Sequence, residues 1–148
     1  MLSVIVAAGD DEGPRLPGVL AALTSAAVDG LVREVILAGG GPADLLAVLR
    51  EETGAELAGD LRAAIAAAKA DLLLVMGAGF RPKPGWVEDL GLHLRGGGRE
   101  AVLAGEGGGL LRRAPHAVLI GRETAAGLAR PDLERLRGAL QRGRPRLG

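Results

Sequence analysis

At 148 residues with 48% apolar and 24% charged side chains, the chain has the length and balance of one globular domain with its own core. The absence of cysteine excludes disulfides, thiolate metal sites and a cysteine nucleophile, and two distant histidines, His93 and His116, exclude a histidine-rich zinc site. With Phe80 and Trp86 as the only aromatics, base stacking on single-stranded nucleic acid is also excluded, and no nucleic-acid partner is expected. Net charge is zero but uneven. Residues 1–110 carry 9 Lys and Arg against 15 Asp and Glu, while residues 111–148 carry 9 Arg against 3 acids. The basic end is read as a solvated helix, with weak or no contact to a membrane surface, because Leu133, Leu136 and Leu140 bury little apolar area. No apolar run is long enough to span a bilayer, and residues 1–6 lack a basic leader, so a cytoplasmic location is expected.

The first element, residues 2–7, is a continuous apolar run typical of a strand buried on both faces. Asp10-Asp11-Glu12-Gly13 breaks it, and a helix opens around Pro14 and Pro17 and runs to Val28. Residues 34–38 predict a second buried strand. Gly39-Gly40-Gly41-Pro42 then leads into a helix with Leu45, Leu46 and Leu49 on its apolar face. An alanine-rich helix follows from a cap at Asp60 to about residue 70. Residues 72–76, Leu-Leu-Leu-Val-Met, predict a third buried strand closed by Gly77-Ala78-Gly79, and a helix covers residues 84–94. Beyond Gly96-Gly97-Gly98 the pattern shifts to short strands at 101–104, 109–112 and 117–120, then helices near 122–129 and 131–141. Alternation through residue 94 predicts a parallel sheet with right-handed crossovers, and the later strands an antiparallel addition. The expected fold is therefore an α/β, three-layer α/β/α sandwich, mostly parallel, in a single domain over 1–148.

In such a sheet ligands bind beyond the carboxyl ends of the strands, here at residues 8–13, 39–43 and 77–83. Gly39 and Gly40 stand either in a phosphate-cradling turn or in a plain strand-to-helix turn. Asp10, Asp11 and Glu12 offer contacts to a nucleoside, or an acidic loop favoured ahead of a helix. Asp44 is explained by the helix dipole alone, and Arg62 stands at a helix start. Trp86 and His93 are expected in or at the edge of the core. His116 has no visible acid partner.

The order of these segments resembles the family 2 glycosyltransferases. Ser3-Val4-Ile5-Val6-Ala7-Ala8-Gly9-Asp10-Asp11-Glu12 looks like the family's first strand and acidic loop. Glu34-Val35-Ile36-Leu37-Ala38-Gly39-Gly40-Gly41-Pro42-Ala43-Asp44 is similar to its second strand and turn. Asp71-Leu72-Leu73-Leu74-Val75-Met76-Gly77-Ala78-Gly79-Phe80-Arg81-Pro82-Lys83-Pro84-Gly85-Trp86 resembles the strand carrying the Asp-x-Asp metal motif and its Pro-Gly-Trp continuation. Ala117-Val118-Leu119-Ile120-Gly121-Arg122-Glu123 and Arg142-Gly143-Arg144-Pro145-Arg146-Leu147 resemble later segments more faintly.

The resemblance implies the nucleotide-diphospho-sugar transferase fold, with a nucleotide-binding half over 1–94 and a reduced acceptor half over 95–148. It implies a nucleotide-diphospho-sugar ligand held by Ala8, Asp10, Asp11, Gly39, Gly40, Arg62, Gly77, Gly79, Arg81 and Lys83. It leaves Asp132 and Glu134 as the remnant of the catalytic-base region. The departures are specific. The nucleoside-binding Asp falls on Gly39, and both metal-motif carboxylates fall on Gly77 and Gly79, so no metal cofactor is expected. Arg81 and Lys83 then stand either as cations placed to neutralise a diphosphate or simply as a solvated basic loop. Either a transferase working without the usual metal or a non-catalytic binding or assembly protein is implied. A homodimer is expected through strands or helices of residues 100–141, because the apolar strands at 101–104, 109–112 and 117–120 would form the sheet edge or lie near it.

Overall fold

Unbroken apolar runs set the centre of the molecule, as the computed structural model shows; it describes residues 1–107, 115–128, 132–138 and 146–147. Strand β1 (Leu2–Ala8) puts Leu2, Val4 and Val6 on one face and Ile5 on the other, all buried. Strands β2 (Val32–Gly39) and β4 (Leu72–Gly77) pair with it in parallel on either side, and β3 (Glu56–Ala58) pairs in parallel with β2. Strand β6 (His116–Gly121) runs antiparallel to β4, and β5 (Ala101–Ala104) antiparallel to β6. The two-residue β7 (Arg146–Leu147) lies parallel to β5. Among the described residues the sheet order is β3-β2-β1-β4-β6-β5-β7. The expected sandwich, parallel with an antiparallel addition, is what forms.

Helices cover both faces because alternate strand residues are apolar on both. Helices α1 (Leu16–Val28), α2 (Ala43–Thr53) and α4 (Trp86–Arg95) bury Leu16, Val19, Leu23, Leu49, Trp86 and Leu90 against one face. Helices α3 (Leu61–Ala67), α5 (Arg122–Ala126) and α6 (Leu133–Gly138) supply Ala64, Ile65, Ala125 and Leu136 to the other. A single 3-10 turn, Gly13–Arg15, precedes α1. As expected, Trp86 is core and His93 is half-buried, its Nε2 3.0 Å from the Arg99 carbonyl.

Several expectations need correction. The alanine-rich helix stops at Ala67, not near residue 70. The Lys69 N–H donates to Glu34 Oε2 at 2.6 Å and the Ala70 N–H to Ser3 Oγ at 3.0 Å, so side chains from β2 and β1 take the donors that a longer helix would use. Strand β3 was not expected. Its Glu-Leu-Ala carries one large apolar residue, and the backbone ladder to β2 holds it. Helix α5 ends at Ala126, and the described part of α6 covers Leu133–Gly138. The strands at 101–104 and 117–120 are not an uncovered edge: β6 pairs on both sides, with β4 and β5, and β5 is flanked by β6 and β7. The strand expected at 109–112 lies outside the described residues.

Candidate nucleotide-binding crevice

Chain order fixes where a crevice opens. From β1 the chain steps outward to β2 and β3, then returns to place β4 on the opposite side of β1. The β1/β4 boundary is therefore the switch point, where crossovers leave in opposite directions and expose the carboxyl ends of the strands. Register brings the expected residues to two adjacent rows at the strand ends: Ala8 pairs with Gly39, and Ala7 with Gly77. The Ala78 N–H donates to the Ala7 carbonyl at 3.1 Å, which extends the β1–β4 ladder into the glycine turn, and Phe80 N–H closes that turn on the Gly77 carbonyl at 3.1 Å.

The loop after β1 lies over the loop after β2. Glu12 N–H closes a turn on the Gly9 carbonyl at 3.0 Å, and Glu12 Oε1 accepts from the Gly9 N–H at 2.8 Å. A Cβ on Gly13 would fall 2.8 Å from the Gly40 carbonyl oxygen, and one on Gly41 would fall 3.0 Å from that of Asp10. The two backbones thus touch, and the glycines permit it. Gly39 has φ +79°, and a Cβ there would meet the Ala8 carbonyl oxygen at 2.5 Å. An aspartate cannot occupy that position in this backbone, which accounts for glycine where the family resemblance implies an acid. Asp10 and Asp11 are exposed at the rim.

Arg81 departs from the reading as a free cation. Its Nη1 donates to the carbonyls of Ala78 at 3.0 Å and Phe80 at 2.7 Å, and its Nη2 to that of Arg15 at 3.3 Å. It folds back because Gly18 of α1 leaves room; a Cβ there would be 2.6 Å from Nη2. Lys83 is half-buried and borders a cleft with Ser25, Glu88 and Glu106. Arg62 is exposed at the start of α3, after β3. Three strand spacings separate β3 from β4, about 14 Å, so Arg62 does not join the glycine turn. Asp60 caps α3, its Oδ1 accepting from Ala63 N–H at 2.8 Å. Asp132 is committed to α6: Oδ1 accepts from the Arg135 N–H at 2.8 Å and Oδ2 lies 3.4 Å from Arg135 Nε. The Glu134 side chain is outside the described residues.

Sequence reasoning passed over Arg15. It ends the 3-10 turn, and its Nη1 lies 3.0 Å from where a Cβ on Gly79 would stand. Only the adjacency of β1 and β4 brings residues 15 and 79 together, and no local pattern announces it.

A mixed sheet of this order, with its switch point between β1 and β4, is the fold of nucleotide-diphospho-sugar transferases. Solved structures of two such enzymes share it. Glucosyl-3-phosphoglycerate synthase from Mycobacterium tuberculosis, determined with Mn2+, UDP and glucosyl-3-phosphoglycerate, superposes with a TM-score of 0.57 and 19% identity over 86% of this chain and 59% of that one. The same enzyme with Mn2+, UDP-glucose and phosphoglyceric acid gives 0.58 and 20%, again over 86% and 59%. Mannosyl-3-phosphoglycerate synthase from Rubrobacter xylanophilus gives 0.50 and 17% over 70% and 40%. The chain thus spans about three-fifths of the first enzyme's length. At these identities the likeness establishes a shared fold. No protein-family profile and no curated protein matches the sequence.

The Mn2+ of those complexes invites a test of fit. Gly77 and Gly79 supply no ligand, and among the described residues no three His, Cys, Asp or Glu side chains gather as a metal-holding group. The guanidinium beside Gly79 would repel a divalent cation. The residues present at the glycine turn do not fit a metal of this kind.

Proposed function

We propose that this chain is a nucleotide-diphospho-sugar-binding domain on the glycosyltransferase fold, spanning residues 1–148, whose ligand contacts are not organised by a divalent metal. The observation that carries the reading is the β1/β4 switch point, where Ala8 pairs with Gly39 and Ala7 with Gly77, so that no carboxylate stands at these strand ends. Small residues there let a ligand approach the backbone closely, and the acidic rim at Asp10 and Asp11 offers acceptors to a nucleoside. The printed ligands of the glucosyl-3-phosphoglycerate synthase complexes, UDP and UDP-glucose, make uridine nucleotides the first probes.

Binding is favoured over turnover by one further observation. Sugar transfer needs a base at the acceptor hydroxyl, and Asp132 already holds the α6 backbone and the Arg135 guanidinium. A role in binding or assembly follows. The assembly reading keeps the homodimer through residues 100–141, with helices rather than the sheet-interior strands at 101–104 and 117–120 as its contacts, and light scattering at micromolar concentration tests it.

Calorimetric titration of the full chain with UDP and UDP-glucose, in EDTA and then in Mn2+, tests this. Binding in EDTA is expected, with Mn2+ tightening it by less than about tenfold, or about 1.4 kcal/mol. Absence of binding at millimolar nucleotide, or a larger gain with Mn2+, overturns the reading.

A further inference from the structure

We infer that the Arg15 guanidinium, which stands against the Cβ position of Gly79, is the group that receives the diphosphate. This rests on the nucleotide-binding reading above and goes further by naming the residue and its chemistry.

Three observations converge on Arg15. The first is place. Arg15 follows β1 and Gly79 follows β4, so the guanidinium stands at the switch point, with Nη1 3.0 Å from a Cβ built on Gly79. A carboxylate side chain at 79 would stand beside this guanidinium and pair with it.

The second is availability. The Arg15 side chain is 64% exposed, and its ion pair with Glu12 Oε2, at 3.9 Å, is too long for a hydrogen bond. An exposed pair of that length is worth about 0–1 kcal/mol. The five N–H donors of a guanidinium suit the paired oxygens of a phosphate, and the Glu12 contact is weak enough to give way.

The third is support. Arg81 donates through Nη2 to the Arg15 carbonyl and through Nη1 to the Ala78 carbonyl. It therefore clasps the turn carrying Arg15 to the turn carrying Gly79, while its own charge is spent on backbone carbonyls. Arg81 is a positioning residue and Arg15 the ligand-binding one. Planar, forked and permanently charged, arginine meets a diphosphate where lysine offers only a point charge.

The test is calorimetry on the full chain in EDTA with UDP, UMP and uridine. Arg15→Ala is expected to weaken UDP by about tenfold or more while leaving uridine unchanged. Arg15→Lys should recover part of the loss. Glu12→Gln keeps the acceptor for the Gly9 N–H but removes a competing charge, and should tighten UDP by about two- to fivefold. Gly79→Asp, independent of any change at 15, should form an ion pair with Arg15 and weaken UDP. If Arg15→Ala binds UDP within about twofold of the parent, the assignment is overturned and nucleotide binding stands. A parent that binds uridine and UDP equally also overturns it, since nothing then receives the diphosphate. A parent that binds none of the three removes the nucleotide reading itself, and Arg15's role with it.

Discussion

Removing the Arg81 side chain isolates what the clasp between the two turns contributes to stability. Three carbonyls accept from its guanidinium: Nη1 donates to Ala78 and Phe80 through its two N–H groups, while the Arg15 contact at 3.3 Å is long and weak. Two effective charge-assisted bonds remain. Each such bond contributes about 1.5–3 kcal/mol when its acceptor stays dry. Arg81 is half-buried, so the freed carbonyls recover part of this from water. The expected cost of Arg81→Ala is about 2 kcal/mol, which lowers Tm by about 4–8 °C in a domain of this size. Urea unfolding followed by circular dichroism measures it.

Gly18 sharpens the test. In an exposed helix Gly→Ala normally gains about 1 kcal/mol, but here the new methyl would fall 2.6 Å from Arg81 Nη2. Gly18→Ala should therefore be neutral or destabilising in the parent and stabilising by about 1 kcal/mol once Arg81 is alanine. Lys83→Ala serves as the comparison and should stay within about 0.5 kcal/mol of the parent. An Arg81→Ala variant as stable as the parent, or a Gly18→Ala effect identical in both backgrounds, would refute the clasp.

Gly39→Asp, which restores the acid implied by the family resemblance, should destabilise by about 3 kcal/mol or more in the same unfolding assay. It combines a left-handed φ with a 2.5 Å clash against the Ala8 carbonyl. Gly77→Asp, whose Cβ would have only the Ala7 carbonyl oxygen within 4 Å, at 3.9 Å, should fold within about 1 kcal/mol of the parent. Ser3→Ala removes the acceptor of the buried Ala70 N–H and the donor to Glu34, and should cost about 1–3 kcal/mol by urea titration. Asp60→Ala removes the α3 cap and should cost about 1 kcal/mol on the same measurement.

The sequence made the buried strands plain because a parallel sheet covered on both faces needs unbroken apolar runs, and residues 4–7, 35–38 and 72–76 are such runs. It left β3 hidden because an edge strand is held by backbone pairing, and Glu56-Leu57-Ala58 has no apolar pattern to show. The early stop of α3 was hidden for a related reason. Alanines 66–68 favour helix locally, and the competing acceptors come from Ser3 and Glu34, remote in sequence. The site divided along the same line. Strand ends place Ala8, Gly39 and Gly77 by register, so those positions could be read from the runs that precede them. Arg81 and Arg15 could not be sorted, because which guanidinium faces the crevice depends on Gly18 making room for one and Gly79 for the other.

That exchange of roles has an electrostatic logic. Two aspartates with a bound divalent cation sum to zero net charge, whereas here Arg15 and Arg81 stand against Asp10, Asp11 and Glu12, and the sum is −1. Under the proposal above, a diphosphate would therefore rely on the local guanidinium of Arg15, with Glu12 giving way, rather than on the net field of the loop. What the arginine cannot reproduce is direct coordination of the leaving oxygens, which concentrates stabilisation where charge develops during transfer. Catalysis depends on interactions that strengthen in the transition state, and binding only on those present before it. On the proposed reading, Arg15 in place of a metal would separate the two: a site built this way would hold its nucleotide in chelator and lack the contribution that drives the leaving group away.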